Sequence, residues 1–280
     1  MRNNEERFQA HSADSTPPPV EEAKPLHFIT PTDFVELPSK GRYYPKDHPL
    51  CDHEHLEIRQ MTAKDEDILT SAALLKKGIA VERLVENLIV DKNVNVEELL
   101  VGDKSAILIT ARISAYGPMY ETKVQCPFCD HYSNYEFDLR EIKINHGKEP
   151  SDLGEVALTK DKTFIITLPN STAKVETRLL TGMDEKKFIY SMQQHKKHNL
   201  ELATVTDQMK TFIISVNDVT DSTQVSNFID NMPAKDSRYL RNAYSQLAPN
   251  IDLTQYFACT YCNSETKMEV PLTADFFWPK

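Results

Sequence analysis

The period of the apolar positions changes along this 280-residue chain. HEHLEIRQM (His53 to Met61) alternates and predicts a short strand. Thr62, with Asp65 three residues on, forms a capping-box pattern and predicts a helix over TAKDEDILTSAALLKKG. Acids fill its first turn, and Lys76, Lys77 and Gly78 close it. VERLVENLIV predicts a second helix. GDKSAILITARISAYG predicts a third, with Asp103 as N-cap and Gly117 as stop; it is apolar nearly all round, as a central buried helix is.

From about Leu153 short apolar runs take over. TFIITLP and AKVETRLLT read as strands joined through Asn170-Ser171, and MDEKKFIYSMQQHKKH and TDQMKTFIISVNDV as helices. DSTQVSNFIDNMP predicts a short helix stopped by Pro233. KDSRYLRNAYSQLAPNI predicts another, starting near Asp236 and ending before Pro249. Strands and helices without βαβ alternation indicate an α+β fold. Residues 1–26 are polar and proline-rich and read as a disordered tail. Residues 27–145 read as an N-terminal subdomain of strands and three helices, and residues 146–280 as a C-terminal α+β subdomain. FVELPSKGRYYPKDHPL (Phe34 to Leu50) is a turn-rich entry; its pair Tyr43 and Tyr44 is either core filler or a docking surface.

VQCPFCDHYSNYEFDL (Val124 to Leu139) returns 133 positions later, without a gap, as FACTYCNSETKMEVPL (Phe257 to Leu272). Each copy reads strand, C-x-x-C turn, strand, the arrangement of a zinc knuckle. One knuckle supplies two thiolates and a structural zinc takes four, so Cys126, Cys129, Cys259 and Cys262 are candidate ligands of one shared Zn²⁺. The result is a split zinc ribbon of two hairpins joining the two subdomains. Closing the long intervening loop costs about 4 kcal/mol in its length-dependent part. Structural zinc contributes on the order of 10–16 kcal/mol, which outweighs it. The alternatives are a redox C-x-x-C, which sits at a helix N-terminus that the alternating HYSNYEFDL does not provide, and ordinary buried thiols. With four thiolates no open position remains for a catalytic water. Cys51, His53 and His55 share a strand face and form a weaker metal candidate; His131 is a candidate outer donor.

Composition narrows the function further. Net charge is −10, and the lysine pairs are scattered, which argues against a nucleic-acid groove. Seven glycines are too sparse to write a G-x-G-x-x-G or a phosphate-cradling P-loop. No stretch is apolar enough for a membrane span and the first residues lack a signal h-region, so the expected place is a reducing cytoplasm. There is no H-E-x-x-H or G-x-S-x-G, and the acids Asp65, Glu66 and Asp67 suit a helix start, so no enzyme is expected. Phe276, Phe277 and Trp278 are adjacent aromatics. They dock either on a partner or back on the chain.

Taken together, LPSKGRYYP, MTAKDEDIL, LLVGDKSAILITARISAYG, VQCPFC, DSRYLRNAYSQLAPNIDL, FACTYC and VPLTADFFWP resemble one family. It is the baseplate hub assembly group of T-even-type contractile-tail bacteriophages, and the resemblance covers about residues 34 to 280. It implies a non-enzymatic morphogenesis factor, a chaperone or minor structural part, acting in the host cytoplasm or retained in the virion tail. The partners it implies are other hub and tail proteins, with no nucleic acid and no membrane insertion. Two other classes stay open: a zinc-ribbon adaptor for nucleic acid, and a tail-associated hydrolase.

Overall fold

The computed structural model describes residues 30–197, 205–272 and 274–277. The expected N-terminal tail and Trp278 lie outside them. From Pro31 onwards the described residues form one compact unit.

The first half opens with an antiparallel pair, β1 (Thr32–Glu36) and β2 (His55–Arg59). Tight turns connect them, and Gly41 makes those turns possible. Its φ is +69°, and a β-carbon there would lie 2.4 Å from the His53 nitrogen and the Leu50 oxygen. The predicted first helix is two: α1 (Ala63–Thr70) and α2 (Ala72–Lys77). The Thr70 hydroxyl turns back to the Glu66 carbonyl, and Ser71 leaves helical geometry at ψ 106°. Gly78 caps α2 in the left-handed region, as expected. Next come α3 (Ala80–Leu88) and α4 (Val101–Tyr116), the latter ended by Gly117. Residues Gly102, Ala106, Ile107, Ile109 and Ala111 of α4 are buried, which its all-round apolar pattern requires. Gly102 is where α4 meets the other half: a β-carbon would sit 2.2 Å from the Pro249 oxygen.

The first cysteine hairpin is β3 (Met119–Gln125) with β4 (Tyr132–Asp138). Two three-residue strands follow, β5 (Lys143–Asn145) and β6 (Val156–Leu158), too short to show a period. With β7 (Phe164–Thr167), β8 (Lys174–Thr177) and β9 (Ile213–Val216), β6 forms a four-stranded antiparallel sheet in the order β6-β7-β8-β9. Between β8 and β9 lie α5 (Gly182–Lys197) and α6 (Val205–Phe212). The single helix expected over TDQMKTFIISVNDV therefore stops at Phe212. Its second part, with β-branched Ile213, Ile214 and Val216, pairs with β8 instead. The chain continues through α7 (Ser222–Asp230), α8 (Ala234–Leu247) and β10 (Asn250–Asp252), which pairs with β5 across the two halves. The second cysteine hairpin is β11 (Thr254–Ala258) with β12 (Glu265–Glu269), and a single 3₁₀ turn spans Ala274–Phe277.

Candidate metal centre

Each hairpin holds its cysteines by the same local device. The Cys126 amide donates to the His131 carbonyl and the Asp130 amide to the Cys126 carbonyl, both at 2.9 Å. In the second hairpin the Cys259 amide donates to the Ser264 carbonyl at 2.9 Å and the Asn263 amide to the Cys259 carbonyl at 3.0 Å. Asp130 and Asn263 stand at the same place in the repeat, with φ +57° and +55°. Aspartate and asparagine are among the few residues that adopt the left-handed region readily. Two places before each first cysteine, Val124 and Phe257 are buried, as are Phe137 and Val270 on the return strands.

The hairpins pack inner face to inner face. The Tyr135 hydroxyl donates to the Tyr256 carbonyl at 3.2 Å, its ring lies 5.0 Å from Phe257, and the Gln255 amide nitrogen donates to the Asp138 carbonyl at 2.8 Å. That packing brings all four predicted sulfurs within 4.8 Å of one another. The closest contacts run between hairpins: Cys126 Sγ to Cys262 Sγ is 3.7 Å, and Cys129 Sγ to Cys259 Sγ is 3.8 Å. A tetrahedron with metal–sulfur bonds of about 2.3 Å has an edge of about 3.8 Å, whereas a disulfide bond is about 2.05 Å. The donor set thus fits a tetrahedral soft-ligand ion. Each second cysteine leads into a strand, not a helix, so the redox arrangement is not built here.

Electrostatics in the cluster are those of four thiols competing for charge. The hydroxyl and amide of Ser264 pull the Cys262 thiol down to about 6. The His131 amide favours the Cys129 thiolate, but lost hydration and the thiols of Cys262, Cys126 and Cys259 push that group up to about 12. A divalent cation at the centre would remove this conflict, because thiolates are the form in which cysteines bind such an ion. Among the described residues no other group of three or more candidate ligands gathers, so Cys51, His53 and His55 are not brought into a site. His131 stacks its ring on Tyr261 at 4.7 Å and serves the cluster through its amide.

The aromatic candidates divide. Tyr43 and Tyr44 are buried, so the docking alternative gives way to the core alternative. The Tyr44 hydroxyl donates to Asp103 at 2.8 Å and accepts from the Leu100 amide at 3.0 Å. Asp103 is not the N-cap of α4, a position held by Leu100. Its carboxylate instead accepts from the Ser39 amide and hydroxyl, at 2.9 and 2.6 Å. Phe276 and Phe277 fold back on the chain, where they are buried. Arg112, itself 1 % exposed, donates from Nε to the Phe276 carbonyl at 2.6 Å and lies beside the rings of Tyr116, Tyr120 and Phe276. Among the exposed aromatics, Phe128 (63 %) and Tyr261 (71 %) occupy the same position in the two C-x-x-C turns.

The structure also reveals that the repetition extends well beyond the cysteines. RQMTAKDE (Arg59 to Glu66) returns as RLLTGMDE (Arg178 to Glu185). In both, a strand ends at or next to the arginine and a helix begins after the threonine. Arg59 grips Asp65 with contacts of 2.6 and 2.8 Å, and Arg178 grips Asp184 with the same two distances. The Thr62 and Thr181 amides and hydroxyls donate to the same carboxylates. Asp236, the third residue of α8, corresponds to Asp103, the third of α4, again 133 positions apart. It accepts from the Asn170 and Ser171 amides, as Asp103 accepts from Ser39. The turns so held follow Leu37-Pro38 and Leu168-Pro169. The signal was present in the sequence as a second repeat of the pattern R-x-x-T-x-x-D-E.

The cysteine centre therefore sits where two equivalent half-chains meet, each giving one knuckle. No curated protein and no solved structure matched the chain. A family model described as T4 bacteriophage base plate protein matches residues 30–278. The compact unit, its two knuckles and nearly all of the sequence from residue 30 fall within that match, and the chain belongs to the T4 bacteriophage base plate protein family.

Proposed function

We propose that this protein is a non-enzymatic part or assembly factor of the baseplate hub, held in shape by one structural Zn²⁺ on Cys126, Cys129, Cys259 and Cys262. Family membership supports a structural or assembly role in the phage baseplate. The observation that carries the metal is the gathering of four thiols from two distant hairpins within 4.8 Å. Zinc bound there joins the ends of the two halves of the fold, and supplies stability rather than chemistry, since four protein ligands leave no open position. The acids with depressed pKa values support a non-catalytic reading. Asp65 and Asp184 are each engaged by an arginine and a helix-start threonine. On the exposed face of the knuckle strands Glu121, Glu136, Glu265 and Glu269 outnumber Lys123 and Lys267, a balance that does not suit a phosphate backbone.

Quantitative mass spectrometry of purified virions against infected-cell lysate tests the role. Near-stoichiometric amounts relative to hub proteins are expected of a structural part, and presence only with tail intermediates is expected of an assembly factor. Presence with neither would overturn the hub reading. Metal analysis of the purified chain should return one zinc per molecule; a metal-free, fully folded chain would overturn the zinc centre.

A further inference from the structure

The two halves differ in what lies between their corresponding helices. In the first half, α3 packs against both α1 and α4 and buries Leu84, Val85 and Leu88 completely. In the second half the corresponding helices are α5, which begins with the same threonine–aspartate start, and α8, which carries the corresponding aspartate. Between these two and α6, which contributes Gln208, Thr211 and Phe212, is a cavity of about 400 Å³ whose lining also includes Leu180, Phe188 and Tyr244. A second cavity of about 150 Å³ shares Val101, Leu180 and Tyr244 with it and runs on to Pro249. The two form one elongated apolar groove.

The charges on its rim are unequal. Asp184 is neutralised by Arg178 and Glu185 by Lys104 at 2.7 Å. Arg241, which lines the groove, and Arg238, one turn earlier on α8, are exposed and make no ion pair or hydrogen bond among the described residues. In the first half α3, which packs against α1 and α4, is amphipathic and carries the acids Glu82 and Glu86.

We propose that this groove receives an acidic amphipathic helix from another phage tail protein. Its apolar residues, at three-to-four spacing, cover Phe188, Phe212 and Tyr244, and its acids meet Arg238 and Arg241. The partner helix packs against α5, α6 and α8 in the way that α3 packs against α1 and α4. Helix-in-groove recognition reads such anchors, and rim charges set the partner's orientation and encounter rate. This inference rests on the baseplate reading for the source of the helix.

The test places a photo-reactive benzoylphenylalanine at exposed Gln208, beside the groove, in the full-length chain during infection. The adducts are then sequenced by mass spectrometry. The expected result is a cross-link to one segment of another tail protein, with apolar residues at helical spacing and acidic neighbours. The double variant Arg238→Glu with Arg241→Glu should lower adduct yield about tenfold at unchanged melting temperature, because both rim charges become repulsive. Adducts only to this chain, adducts to a segment without that pattern, no adducts, or a yield unchanged by the charge reversal would each overturn the proposal. Sedimentation of the same protein separates the two readings. If it travels with tail intermediates while the groove fails, the baseplate role stands; if it does not, both fall.

Discussion

The halves of this molecule use one construction with two different middles. Both hold a proline-marked turn with an aspartate at the third position of a helix, start a helix with an Arg–Thr–Asp clamp, and end on a C-x-x-C hairpin. What lies between is not repeated: α2 and α3 in the first half, α6, β9 and α7 in the second. The repeated parts are those in which a backbone group or a charge has to be satisfied at a fixed position. The divergent parts are those where only volume has to be filled, and many sequences do that. The first half fills the volume with α2 and α3; in the second, α6, β9 and α7 take part of it and a groove remains beside α5, α6 and α8.

The comparison breaks most sharply at the cysteines. If the centre is shared, Cys126→Ser and Cys259→Ser should have the same effect although they lie in different halves. Each should remove the metal and lower the melting temperature by more than about 10 °C, since the site is worth on the order of 10 kcal/mol. Elemental analysis with calorimetry reads both effects, and one variant keeping metal while the other loses it would sink the shared site.

The turn clamps come next. Asp103→Ala leaves Ser39 and Tyr44 donors buried and should cost about 3 kcal/mol. Asp236→Ala frees two amides and the Ser171 hydroxyl at an exposed turn, where water can replace the lost acceptor, and should cost about 2 kcal/mol. Urea unfolding of the two variants measures the difference, and a larger loss for Asp236→Ala would contradict the ranking.

Acid then probes the helix-start clamps. Burial alone would raise Asp65, but Arg59 and the Thr62 amide and hydroxyl outweigh it and hold the carboxyl down to about 2. Asp184 is likewise held below its ordinary value: burial opposes, and Arg178 and Thr181 prevail. A carboxyl depressed in the folded state adds stability that is fully present above its unfolded pKa near 3.9. That stability is lost as pH falls through the folded value. Stability should therefore drop between about pH 4 and pH 2, by about 2 kcal/mol for Asp65. Asp65→Asn should flatten that part of a melting-temperature profile; an unchanged slope would place the acid sensitivity elsewhere. The smallest effect belongs to Arg83→Ala, which removes an exposed pair with Glu86 on α3 and should change stability by about 0.3 kcal/mol.

Local signals carried well from sequence to fold. The Thr62–Asp65 capping box, the Gly78 and Gly117 stops, the turn at Asn170-Ser171 and both knuckle hairpins stand where their residues point. Each is decided within a few residues by backbone geometry. Asp103 shows the limit. An aspartate near a helix start reads as a cap, yet its acceptors face Ser39 and Tyr44, 64 and 59 positions away. Ile213 to Val216 was hidden for the same reason: a helix continues or a strand begins according to whether β8 lies alongside.

By itself, the sequence determined the α+β character, the four thiols as one candidate set and the family resemblance, because repetition and spacing are written along the chain. The pairing of the knuckles, the burial of Tyr43 and Tyr44 and the folding-back of Phe276 onto Arg112 were decided only in three dimensions. So was the groove beside α5, α6 and α8. Those features depend on which distant surfaces meet, and the free energy of burying one side chain is set by the neighbours that the whole fold supplies.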